Sequence, residues 1–307
     1  MPDLLDKQLV FVIGKGGVGK STVALALGLA AARRGKRTIV CEISSQEHAS
    51  QVFRRTEVGY HEVEIANDLW TISIDPDYAM REYVLLQVKV KAMRDMLFRT
   101  RIFTYLAAAT PGLRELVTIG KIWELALEDR KVKKARPYDL VIVDAPATGH
   151  GIGFLETPRT FARIARVGPI RAQAEALDNF ICNHRRTGVA LVALPEEMPV
   201  NESAVLEQRL IEEVGVSVDR AYMNALYPER FSDADADRLE SALENGLGPG
   251  ARAAVRAALG QRRRAISQRR QLARLRELLT TQVSTLPFVF EPELGMDAIG
   301  ILAEDVA

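Results

Sequence analysis

Cysteine is nearly absent: the 307 residues contain two, Cys41 and Cys182. Two isolated thiols exclude a disulfide framework, and neither sits at a metal-ligand spacing, so both read as packing residues. Long apolar runs are missing too. No stretch approaches the roughly 18 residues of a membrane helix, and Asp3 and Asp6 stand where a signal peptide would be basic. Neither sign of charge dominates. With 41 Lys and Arg against 40 Asp and Glu the net charge is +1, which gives no global reason to expect nucleic acid as a partner. No internal repeat or low-complexity linker is visible. The remaining composition, 48% hydrophobic and 26% charged, is that of a soluble globular chain. We read it as one domain over residues 1–307, with no integral membrane segment and an expected place in the cytoplasm.

What is present begins near the N-terminus. The apolar run Leu9-Val10-Phe11-Val12-Ile13 leads into Gly14-Lys15-Gly16-Gly17-Val18-Gly19-Lys20-Ser21-Thr22. Gly, four residues, then Gly-Lys-Ser is the spacing of a phosphate-binding loop. Small residues let successive backbone N–H groups turn inward around phosphate oxygens, with Lys20 on the β- and γ-phosphates and Ser21 on Mg²⁺. The segment that follows, residues 23–32, is rich in helix formers. Its N-terminus adds partial positive charge where the phosphates would sit. One such loop means one nucleotide site per chain, taking ATP or ADP with Mg²⁺.

Apolar, β-branched runs at 9–13, 37–43, 69–74, 138–143, 188–194, 217–224 and 284–288 suit buried strands of a mainly parallel sheet. Helical segments separate most of them, so the expected class is α/β, a P-loop fold flanked by helices. Two stretches exceed what a crossover requires, about 77–136 and 160–186, and both read as helical insertions packing together as a subdomain. In the first, Tyr83, Leu86, Val90, Met93 and Leu97 repeat at helical spacing, widened by Leu85, Val88, Ala92 and Met96. Such a stripe suits packing against the main domain or, being Met-rich, a cargo groove.

A second chemical motif follows the 138–143 run. Asp144-Ala145-Pro146-Ala147-Thr148-Gly149-His150 places a carboxylate at the carboxyl end of an apolar strand, where α/β sheets put ligand chemistry. In that Walker B arrangement Asp144 would hold Mg²⁺ together with Ser21, and Gly149 would let the loop move when the γ-phosphate leaves.

These motifs make the chain resemble the arsenite-pump ATPases and the ATPases that target tail-anchored membrane proteins. The resemblance extends to Pro111-Gly112 with Glu115, to Leu194 through Pro199 followed by Asn201-Glu202, to Asn224, and to Leu286-Pro287-Phe288. It marks Lys15 as the extra lysine of the deviant Walker A group, which reaches across a dimer interface to the partner's nucleotide. It implies that Asn224 reads adenine and that the loop after Pro287, with Phe288, closes over the base. On residue chemistry alone Asn224 is equally a strand-end turn residue, although its carboxamide offers the donor and acceptor that adenine requires.

Departures from the family pattern matter as much. The Cys-x-x-Cys zinc pair of the targeting ATPases and the metalloid cysteine cluster of the pumps are both missing, as is the pumps' tandem duplication. A partner for Lys15 must then come from a second copy, so a homodimer is expected. Ser44 stands where the family carries an aspartate that handles the attacking water. Glu42 or Glu47 is the available substitute, and Glu42 is our candidate catalytic carboxylate beside Lys15, Lys20 and Asp144. Residues 252–276 carry nine arginines and no aromatic residue, a solvated basic helix or a contact for anionic lipid or an acidic partner. The expected function is a Mg²⁺-dependent ATPase, a nucleotide-switched homodimer with a hydrophobic or membrane-protein client, possible contact with the membrane periphery, and no nucleic acid. The alternatives are an ATP-binding scaffold or positioning protein with little turnover, and an arsenite-type pump-driving ATPase.

Overall fold

Side-chain alternation along β1 (Leu9–Gly14) divides the core in two. Every residue of this strand is buried. Leu9, Phe11 and Ile13 enter one apolar cluster, and Val10 and Val12 enter the other, as the period of two requires for a strand covered on both faces. The structure is a computed structural model. It describes residues 3–306 except 44–47, 54–57, 88–109, 133–134, 166 and 292.

Among the described residues the sheet has eight strands in the order β3-β4-β2-β5-β1-β6-β7-β8. The others are β2 (Thr38–Glu42), β3 (Val63–Ala66), β4 (Leu69–Ser73), β5 (Leu140–Asp144), β6 (Thr187–Ala193), β7 (Arg220–Leu226) and β8 (Val283–Pro287). All neighbouring pairs are parallel except β3 with β4. Seven strands lie where the apolar runs predict them. The eighth, β3, is not among them because it is short, half-exposed and antiparallel at the sheet edge. Its signal is present in the sequence as the alternation Val63-Glu64-Ile65 before the turn Asn67-Asp68, where Asp68 has φ +58°.

Helix α1 (Lys20–Arg33) is buried continuously from Val23 to Ala32 and fills one face with α10 (Met296–Asp305). A helix apolar on all sides can only sit inside. The opposite face carries α3 (Pro76–Gln87), α4 (Leu113–Leu125), α5 (Thr148–Ile164), α6 (Pro169–Ile181) and α7 (Glu197–Arg209). The short α2 (His48–Val52) follows β2, while α8 (Asp233–Glu244) and α9 (Pro249–Leu278) lie between β7 and β8. The described helices of both long stretches contact each other and share their apolar cluster with the sheet, so this part forms one layer with the main core. Tyr83 packs against that cluster and Leu85 is exposed. The side chains of Leu86, Val88, Val90, Ala92, Met93, Met96 and Leu97 lie outside the described residues.

Candidate nucleotide site

The loop between β1 and α1 is shaped by glycines that no other residue replaces. Gly19 caps α1 at φ +90°, and a Cβ there would stand 2.3 Å from Nδ2 of Asn224. Gly14 has φ +153°, and its Cβ would meet the Val192 carbonyl oxygen at 2.3 Å. The loop is therefore pressed onto the ends of β6 and β7. Gly17 also takes positive φ, so the chain turns twice before the helix begins.

Asp144 closes β5 beside β1, in register with Val12 on one side and Glu42 on the other. The Ser21 hydroxyl donates to its Oδ2 at 2.5 Å. Lys20 Nζ donates to the Lys15 carbonyl at 3.1 Å. Burial raises the Asp144 carboxyl, although Ser21, Lys20 and His48 oppose it. Burial also lowers the Lys20 ammonium, with Asp144 opposing. Both groups are thus desolvated beyond what their mutual attraction offsets, and each gains from a further partner of opposite charge. A hard divalent cation on the Ser21 and Asp144 oxygens, with a polyphosphate at Lys20, has the chemistry to supply both. Among the described residues no group of three His, Cys, Asp or Glu gathers as a metal cage.

Lys15 points elsewhere. Its ammonium lies 2.8 Å from Glu202 Oε1 on α7 and 2.6 Å from the Met198 sulfur. Two lysines five residues apart in one loop therefore serve different surroundings. Glu42, the last residue of β2, is buried, and its Oε1 accepts from the Ala49 N–H of α2 at 3.0 Å. Ser44 and Glu47 lie outside the described residues. Thr148 opens α5, so Gly149 falls in its first turn.

Asn224, near the end of β7, is buried. Its Nδ2 donates to the Val18 carbonyl at 3.0 Å, and its Oδ1 accepts from Ala225 N–H at 2.9 Å. Ala225 is held at φ +60°, an uncommon conformation for alanine. One N–H and one lone pair of the carboxamide remain for a base. Pro287 ends β8 opposite Leu226, and Phe288 N–H donates to the Leu226 carbonyl at 2.8 Å. Sequence reasoning did not find the aromatic group here: Tyr227 stacks on Phe288 at 4.7 Å, and Phe290 packs edge-on against both. The available signal was the spacing Phe288-x-Phe290 beside a strand-end Tyr227.

The model of the family described as anion-transporting ATPase matches residues 7–173, more than half of the chain, including the glycine loop and Asp144. This chain belongs to the anion-transporting ATPase family. It is similar to the ATPase BagA of Mycobacterium tuberculosis, 31% identical over 254 residues covering 77% of this chain and 73% of that protein. A Halobacterium salinarum protein named as an arsenical pump-driving ATPase is 30% identical over 74% of this chain but only 36% of its own length. The ATPase GET3 of Kluyveromyces lactis is 26% identical over 65% of this chain and 58% of its own. The eight-stranded, mostly parallel α/β sheet agrees with the P-loop fold this family membership implies. No described helix is long and apolar enough to cross a membrane.

Proposed function

We propose that this family member is a Mg²⁺-dependent ATP hydrolase working in the cytoplasm as a nucleotide-switched homodimer that binds or targets a client protein. The observation that carries the nucleotide part is the convergence of Ser21 and Asp144 at 2.5 Å beside the desolvated Lys20. Backbone N–H groups of Gly14, Gly16, Gly17, Val18, Gly19, Lys20, Ser21 and Thr22 are the proposed cradle for phosphate, and Lys20 neutralises charge on the β- and γ-oxygens. Ser21 and Asp144 would hold Mg²⁺, which bridges phosphate oxygens and offsets their charge when bound. Asn224, Pro287 and Phe288 would meet the adenine. Glu42 would orient the attacking water, from its place next to Asp144 at the carboxyl edge of the sheet.

The dimer rests on Lys15, the deviant Walker A lysine, whose ammonium is turned away from its own loop towards α7. A second protomer then supplies the phosphate that Lys15 serves. The client, a hydrophobic or membrane-associated protein, follows the resemblance to the targeting ATPases. Single-turnover hydrolysis combined with sizing in ATP, in ADP and without nucleotide tests the reading. Turnover with an ATP-dependent dimer supports it, and a monomer under all three conditions overturns the switch.

A second reading, an ATP-binding switch with little turnover, is favoured by one observation. The Glu42 carboxylate is buried and accepts from the Ala49 amide, so moving it to a water would cost that bond.

A further inference from the structure

Helix α9 runs for 30 residues, about 45 Å at a rise of 1.5 Å per residue. It contains nine arginines and one acid, Glu277. Eight of the arginines fall into two groups, and Arg276 lies outside both. Arg262 pairs with Asp233, Arg269 with Glu229 at 2.7 Å, and Arg264 donates to the Tyr227 hydroxyl at 2.9 Å, so these three fasten the helix to its neighbours. The other group is Arg252, Arg256, Arg263, Arg270 and Arg274, separated by four, seven, seven and four residues. At about 100° per residue these spacings place all five within an arc of about 40°, along roughly 33 Å of helix. All five are exposed. Ala265, Leu272 and Leu275 are buried on the far side of the helix from this arc, and Leu259, about 20° from its edge, is buried as well. Among the described residues, Arg252, Arg256, Arg263 and Arg270 form no ion pair, and Arg274 has only Glu197 at 3.9 Å.

We infer that this arginine ridge binds an anionic lipid bilayer. Five exposed guanidiniums on one line, four of them without an ion pair among the described residues, offer a planar array of charge, and the surface that satisfies such an array is flat and uniformly anionic. A protein partner would be expected to combine such arginines with a Trp, Tyr or Met anchor, and α9 contains none of these three residue types. Domains that bind nucleic acid carry a basic balance, with isoelectric points typically above about 9, whereas this chain has a net charge of +1 and an isoelectric point near 7.8. The acidic helix α8 packs beside α9 and bounds the ridge, so contact is directional. With Leu278, at the end of α9, as its one exposed large apolar side chain, attachment is mainly electrostatic and reversible, and fades as the Debye length shrinks below about 10 Å. The inference stands on α9 alone and does not depend on the nucleotide chemistry proposed above.

The test is co-sedimentation of the full-length protein with phosphatidylcholine vesicles, with and without phosphatidylserine. The expected result is binding to the phosphatidylserine vesicles only, reversed by salt. Each arginine near an anionic surface contributes about five-fold in partitioning. The triple variant Arg256→Gln, Arg263→Gln, Arg270→Gln should therefore bind about 100-fold more weakly, and the corresponding triple lysine variant should retain most binding. All three positions are exposed and unpaired, so an unchanged melting curve checks that the fold is kept. No binding to anionic vesicles at low salt, or full binding by the glutamine variant, overturns the inference. Tighter binding to duplex DNA than to vesicles, lost in the same variant, would also overturn it in favour of a nucleic-acid surface.

Discussion

The ammonium of Lys15 and the carboxylate of Glu202 are 2.8 Å apart, joining the glycine loop to α7. Both side chains are about a third exposed, 31% for Lys15 and 39% for Glu202. Solvent-screened pairs of this kind contribute about 0–1 kcal/mol, so the contact is easily exchanged for a phosphate. Lys20, by contrast, is desolvated and bonded within its own loop.

The two lysines should therefore fail differently. Lys20→Ala is expected to weaken ATP binding itself. Lys15→Ala should leave ATP affinity within a few-fold while lowering turnover by roughly 10²-fold, the size of losing one preorganised charge at the reacting phosphate. Nucleotide titration and steady-state hydrolysis of both variants check this. Equal hydrolysis by Lys15→Ala and the parent would remove the trans-acting role.

Glu42→Gln separates two jobs of one residue. Glutamine keeps an oxygen to accept from the Ala49 amide but cannot act as a base. With ATP still bound, turnover should fall by roughly 10²-fold, the lower end for a positioned base. An unchanged rate at saturating Mg-ATP would assign Glu42 to anchoring α2 alone.

Arsenite and antimonite should leave the ATPase rate unchanged. Cys41 is fully buried, and burial raises its thiol far above the ordinary range. Burial also raises the Cys182 thiol, with Asp178 adding to the effect. Soft metalloid products need several thiolates together. A several-fold stimulation that disappears in Cys182→Ser would contradict this.

Acid should unfold the protein through a buried ion cluster. Arg130, 1% exposed, pairs with Glu62 at 2.7 Å and with Glu124 at 3.0 Å. Burial pushes both carboxyls up, but bonding to Arg130 outweighs it and holds each below its ordinary value of 4.5. A depressed folded-state value means that this stability is fully present above pH 4.5 and is lost as pH falls through the lower folded values. Urea midpoints measured downward from pH 6 should fall below that point. Arg130→Met should cost about 3 kcal/mol at neutral pH, the lower end for breaking a buried pair, because Glu124 keeps Lys121 and Glu62 keeps the Tyr138 hydroxyl, and should flatten the acid limb. A parallel acid limb in the variant would locate the titrating groups elsewhere.

The residues that spacing alone identifies, Gly14 to Ser21 and Asp144, are those brought together most closely. Their chemistry depends on a short segment and on one strand end, both of which are local in sequence. Strand β1 was equally legible, because burial on both faces removes polar residues from the run. The relationships of Lys15 to Glu202 and of Asn224 to Val18 span 187 and 206 residues, and no periodicity carries information over that separation. Edge strand β3 was missed for a physical reason: with one exposed face and four residues it buries too little to leave an apolar run.

Asn224 is as much a part of the glycine loop as of β7. It holds the Val18 carbonyl and fills the space that a side chain at residue 19 would need. The two ends of the proposed nucleotide site therefore share a single mechanical joint. Loosening at the strand end is transmitted to the start of α1 without passing through any bound molecule. A change at this position acts on both ends at once: a carboxylate at 224 would set an oxygen against the Val18 oxygen and shift the loop that carries Lys20.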